Sequence, residues 1–233
     1  MKNQLGNIKD KLERLRQLDT NLEIFGSEKH RYILNPSVPT DTIKQFEVKH
    51  EITLPSEYVA FLTTIGNGGA GPFYGLEPFE NAIFDDLDFK REDCLLNPSK
   101  PFLHTETWNI EFEPTVSEEE NEKEYDRQYE EFTDFYFDSK HTNGVIAICN
   151  YGCGITLSLV VNGQEYGNIW TDDRGNDGGI YPTNQLEEKV KINFLDWYEL
   201  WLDKSISEIK INLDTTKNSN IRTGKPWWKI GCN

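Results

Sequence analysis

The stretch from Val145 to Trp170 constrains the fold more than any other part of the chain. Within it Ile155, Leu157, Leu159 and Val161 alternate with Thr156, Ser158 and Val160, the two-residue period of a strand with one apolar face. Asn162-Gly163 follows directly, and this dipeptide suits the positive φ angles of a two-residue type I′ turn. The spacing therefore predicts a hairpin whose second strand is Gln164 to Trp170. An apolar sheet face must be covered, and segments of helical period stand on both sides of this one.

Leu5, Ile8, Leu12, Leu15 and Leu18 recur at three- and four-residue steps among charged residues, which predicts an amphipathic first helix. After an apolar patch at Tyr32-Ile33-Leu34, Thr42 stands three before Gln45 as in a capping box, so a second helix should carry Ile43 and Phe46. Leu54-Pro55-Ser56 predicts the start of a third, with proline in its first turn and Tyr58, Phe61, Leu62 and Ile65 as its buried stripe. Gly66-Asn67-Gly68-Gly69 should end it with a left-handed cap and bring Phe73 to Leu76 into an extended path beside the sheet. Asn193 is placed to cap a last helix whose Phe194, Leu195, Tyr198, Trp201 and Leu202 share a face.

The formal charge is −16 over 233 residues, which opposes binding to nucleic acid or an anionic membrane surface and favours a basic partner. Between Glu111 and Asp138 stand 12 acidic residues against Lys123 and Arg127. Tyr125, Tyr129, Phe132, Phe135 and Tyr136 recur there near helical spacing, so part of this acidic insertion is expected to be helical. No apolar run reaches the length of a membrane span and the opening residues lack an export signal, so the expected location is the cytoplasm. Cys94, Cys149, Cys153 and Cys232 are then expected as thiols.

Motifs for chemistry are weak. Gly66 to Gly71 satisfies G-x-G-x-x-G, yet a helix precedes it, where the dipole has the wrong sign for a phosphate. Cys149 and Cys153 lack the further ligands that zinc requires, and buried thiols at a strand turn are expected instead. His30, His50, His104 and His141 are scattered and no G-x-S-x-G elbow occurs. Asp172 to Gly178 departs from a calcium loop at the third and twelfth ligand positions, which leaves a charged turn. Forty acidic residues could supply the carboxylate pair of a carbohydrate-active enzyme, but nothing in the pattern selects one. No catalytic, cofactor-binding or metal-ligating residue is assigned, and no cofactor is expected.

Leu54-Pro55-Ser56-Glu57-Tyr58 with Phe61-Leu62, Gly66 to Pro72, and Tyr74-Gly75-Leu76 together resemble the signature of the SUKH superfamily, in its cell-wall-regulator-like branch. Gly152-Cys153-Gly154, Leu159 to Gly163, Gly167 to Trp170, and Asp177 to Pro182 are similar to the sheet of the same family, and Phe194 to Leu202 to its last helix. The resemblance runs from about His30 to Asp203. It implies an α+β fold, here a single domain over 1–204 with a bent, mainly antiparallel sheet flanked by N-terminal and C-terminal helices. The acidic insertion at about 111–138 lies inside that domain, and an extension over 205–233, with Trp227-Trp228, should pack back on it. Most bacterial members are regarded as immunity proteins encoded beside polymorphic toxins, many of them nucleases, and the family has no established catalytic residues to carry over.

The resemblance and the charge together imply a non-catalytic protein, a monomer or weak dimer, that neutralises a cognate toxin domain, expected to be basic and of the nuclease kind, through an acidic surface. Glu118, Glu119, Glu120, Glu122 and Glu124 of the insertion, with Asp172, Asp173 and Asp177 of the later loop, are the expected contact residues. The alternative is a regulatory scaffold in signalling or cell-wall assembly, as the eukaryotic relatives are regarded.

Overall fold

The computed structural model describes residues 1–187 and 191–217. Among these described residues, six α-helices and a four-stranded sheet make an α+β architecture. The helices are α1 (Lys2–Leu18), α2 (Ser27–His30), α3 (Thr40–His50), α4 (Ser56–Thr64), α5 (Glu118–Tyr136) and α6 (Phe194–Lys217). The strands are β1 (Val145–Gly152), β2 (Ile155–Val160), β3 (Ile169–Asp173) and β4 (Gly179–Pro182), paired antiparallel in the order β1-β2-β3-β4. Register irregularities in β1 at Ala147/Cys149 and Asn150/Gly152 are the bulges at which such a sheet bends.

The hairpin between β2 and β3 forms, but its turn is not the tight one expected at Asn162-Gly163. The chain leaves the ladder at Val160 and returns at Gly167, whose N–H donates to the Val160 carbonyl at 2.8 Å. Two outside contacts hold this wider loop open. The Gly144 carbonyl takes the N–H groups of Val161 and Asn162, and the Asn162 carbonyl accepts from Phe102 N at 2.9 Å. The tight primed turn lies one hairpin earlier, between β1 and β2, where Cys153 (φ 54°) and Gly154 (φ 75°) both have positive φ. Cys149 is a buried free thiol inside β1, Cys94 is a free thiol, and Cys153 is exposed at the turn. Cys232 lies outside the described residues.

Both faces of the sheet are buried, not one. Ile146, Ile148, Leu157, Leu159 and Ile169 meet the helices, in a core that includes Ile8, Leu15, Phe61, Phe194, Trp197 and Tyr198. On the opposite face Val145, Ala147, Val160, Trp170 and Ile180 lie under Leu87, Leu96 and Phe102 of the long segment between α4 and α5. Burying each large apolar side chain stabilises the fold by about 1.5–3 kcal/mol, so an irregular cover can seal a sheet as a helix does.

α1 places Leu5, Ile8, Leu12 and Leu15 inward as its period predicts and lies along α6, where Lys11 pairs with Glu199 and Asp203 at 2.7 Å each. The Asn193 side chain caps α6 by accepting from Asp196 N at 2.9 Å. α6 runs unbroken to Lys217 with Ile206 and Ile209 buried, passing through the position where a boundary at 204 was expected. Trp227 and Trp228 lie outside the described residues.

α3 begins at Thr40 after Pro39, with no side-chain cap, so Thr42 falls inside its first turn and the expected capping box does not form. Pro55 likewise precedes α4 as its cap position instead of entering the first turn. The glycine loop is structural, as its placement after a helix implies, but Gly66 is not a left-handed cap; positive φ occurs at Gly68 and Gly69. Gly69 pairs backbone to backbone with Leu76 through two 2.9 Å bonds. Phe73 and Gly75 also have positive φ, so 72–75 is a turn, and the path beside the sheet begins only at Leu76, with Glu77 N donating to the Ile148 carbonyl.

Candidate protein-binding surface

The acidic insertion folds as α5. Ser117 and Glu120 form a reciprocal capping box, each side chain bonded to the other's backbone N–H at 3.2 Å. Glu118, Glu119 and Glu120 thus occupy the first turn, where the helix dipole favours negative charge. Non-helical angles at Asn121 (φ −158°, ψ 83°) kink the helix just after. Tyr136, at the C-terminal end of the aromatic stripe, fixes α5 to the body. Phe112 stands 5.3–5.4 Å from the rings of Tyr125, Tyr129 and Phe132. Tyr136 stacks on Trp108 at 5.4 Å and donates to Asn109 Oδ1 at 2.6 Å.

At the same junction Trp108 stacks on His141 at 4.0 Å. His141 Nδ1 lies 3.2 Å from His104 Nε2, and its Nε2 lies 3.2 Å from the Phe135 carbonyl. Burial, followed by the neighbouring His141 and Arg174 charges, pushes the His104 imidazole down to about 4.

The sequence-selected acids fall in two separate places. Glu118, Glu119, Glu120 and Glu122 are exposed near the start of α5. Glu124 is held by Arg127, whose Nη2 lies 2.6 Å from Oε1, and by Gln128; these bonds keep its carboxyl well below the usual range. Asp172, the last residue but one of β3, clasps Arg174 through bonds of 2.9 and 2.7 Å. Arg174 is buried and also donates to the Tyr136 carbonyl at 3.0 Å, tying the end of β3 to the end of α5. Asp173 accepts from Asn176 at 2.8 Å inside the turn. Asp177 is exposed with φ 59°, and its carbonyl accepts from Asn109. At about 1.5 Å of rise per helical residue, Glu124 is roughly 20 Å from Phe137, where α5 reaches the Asp172 region.

Beside Asp172 the structure assembles acids that sequence reasoning missed. A cleft of about 470 Å³ is lined by Asp85, Asp86, Asp88 and Asp172 together with Phe89 and Phe137. Asp86 Oδ1 holds the loop by accepting from Asp88 N and Phe89 N, and Asp88 accepts from Asn150 at 2.6 Å. Burial, and secondly the Asp172 charge, pushes the Asp85 carboxyl up to about 6. The run Asp85-Asp86-Leu87-Asp88-Phe89 was the available signal, but it has no helical or strand period to place it. Among the described residues no group of three or more His, Cys, Asp or Glu is arranged to hold a metal ion. No helix among them is long and apolar enough to cross a membrane.

A family model described as SMI1 / KNR4 family (SUKH-1) matches residues 37–199. That span runs from just before α3 into the first turns of α6, and so contains the sheet, α5 and the acidic cleft. No curated protein and no solved structure gives a significant match.

Proposed function

Since the chain belongs to the SMI1 / KNR4 family (SUKH-1), a family that includes toxin immunity proteins, we propose that it is an immunity protein that neutralises a cognate toxin domain by binding it. The toxin surface it meets is basic, of the kind a nuclease presents to nucleic acid, and the inhibitor contributes no catalytic group.

The observation that carries this reading is the construction of α5. Its one buried residue, Tyr136, packs on Trp108 of the body, while Glu118, Glu119 and Glu122 face solvent and, among the described residues, enter no ion pair. Charges left free in this way attract a basic partner over distance and raise its association rate. Asp172, Asp173 and Asp177 extend the same sign of charge at the other end of the helix, with Asp172 and Asp173 also holding their own turn.

The test is co-expression of this chain with the toxin domain encoded beside its gene, scoring survival and co-purification. Rescue with a stable complex, weakened by reversing Glu118, Glu119 and Glu122 to lysine, is the expected result. Failure of every neighbouring toxin to be rescued or bound would refute immunity and favour a regulatory scaffold. Rescue and binding unchanged by the reversal would remove α5 from the contact surface.

A further inference from the structure

The cleft at the end of α5 holds a group that the fold does not need. Among the described residues the Asp85 carboxylate accepts no hydrogen bond, and burial raises its pKa. The nearby cation, Arg174, directs its N–H groups to Asp172 and to the carbonyls of Tyr136 and Asp138. A desolvated acid without donors costs stability, and a perturbed acid in a concavity is a candidate functional group. Independently, two large rings are left in water at the same cleft: Phe89 is 79% exposed and Phe137 50%. Phe137 already lies near the Arg174 guanidinium, 5.8 Å from its ring, so this wall accommodates a planar cation.

We propose that this cleft receives an arginine side chain of the protein partner, its guanidinium meeting Asp85 and the neighbouring acids and its plane lying against Phe89. This rests on the reading of the protein as a binder of a basic partner and narrows it from an acidic surface to one pocket. Charge complementarity selects a cation, since Asp85, Asp86, Asp88 and Asp172 face only Arg91 and Arg174 among the cleft's lining. The aromatic wall selects arginine over lysine, because a guanidinium is planar, weakly hydrated and stacks on rings.

The probe is a capped tetra-arginine peptide, with tetra-lysine as comparator, titrated into the full chain at physiological salt by calorimetry and by backbone amide shifts. Tetra-arginine should bind tighter, with shifts concentrated at 85–91 and 172–175. Asp85→Asn and Phe89→Ala should each weaken it about tenfold. Asp85→Asn removes a destabilising charge, so its loss of binding will not reflect unfolding. If both cleft variants bind as the parent does while the Glu118, Glu119 and Glu122 reversal abolishes binding, the cleft proposal is overturned and the acidic-surface reading stands. If neither set alters binding, both are overturned.

Discussion

Replacing Asp85 by asparagine should stabilise this protein, and only above acidic pH. The Asp85 carboxyl has its pKa raised from 3.8 to about 6, first by burial and then by Asp172. Between those two values the folded state holds a proton that the unfolded chain releases, so stability falls as pH rises through this window. Below it both states are protonated and nothing is lost; above it the full cost is present. One pH unit corresponds to about 1.4 kcal/mol, which puts the ceiling near ~3 kcal/mol. Asparagine keeps the shape and omits the charge, so Asp85→Asn should gain about 2–3 kcal/mol at pH 7.5 and almost nothing at pH 4. For a chain of this length that is a rise in Tm of roughly 4–12 °C at the higher pH. Urea unfolding of both proteins at the two pH values, followed by tryptophan fluorescence, measures it. A variant less stable at pH 7.5, or a gain of equal size at both pH values, would refute the account of Asp85 as a half-buried charged group without hydrogen-bond donors.

The remaining predictions concern how the parts are held. Phe112→Ala should loosen α5, raising hydrogen exchange across 118–136 while leaving β1 to β4 protected, because Phe112 packs against three of the helix rings; exchange rising equally in the sheet would show that the helix is not a separable unit. Gly75→Ala should cost more than about 2 kcal/mol in urea unfolding, since φ is +98° and a Cβ would stand 2.3 Å from the Gly69 carbonyl oxygen. His104, whose pKa is lowered to about 4, is protonated first in the unfolded chain, so its contribution should be lost as pH falls from about 6.5 towards 4. His104→Asn should flatten that limb of the stability curve relative to the parent, and an unchanged slope would remove the His104–His141 junction as its source.

Legibility in the sequence followed periodicity. α1, α4 and α6 were readable because Leu5 to Leu15, Tyr58 to Leu62 and Phe194 to Leu202 each repeat on one helical face and end in the core. β2 was readable by alternation, but its partner, expected at Gln164 to Trp170, forms at Ile169–Asp173 and overlaps the expectation only at Ile169 and Trp170. The turn at Asn162-Gly163 misled because local preference was overridden by Gly144 and Phe102, residues distant in sequence that hold the wider loop. The second sheet face was missed for a related reason. Leu87, Leu96 and Phe102 cover it from irregular backbone, and irregular backbone has no period to read. The cleft had the same obstacle, since Asp85 and Asp172 lie 87 positions apart in the sequence and meet only because the 85–91 loop crosses the end of β3.

The two acidic regions have different physical reach, and this separates their roles. Exposed charges are screened over about 8 Å at physiological salt, so Glu118, Glu119 and Glu122, roughly 23–29 Å before Phe137 along α5, contribute little to a contact made inside the cleft. In the proposed binding role they would act on approach, where reversing them should slow association and flatten its salt dependence. Asp85 has no such range, being half buried in a pocket walled by Phe89 and Phe137. In the proposed arginine contact it would act after arrival, on dissociation, where water is excluded and the pairing is strong. An inhibitor with a single acidic patch would show both effects on the same residues. In the proposed arrangement they are carried by different elements, helix α5 and the 85–91 loop.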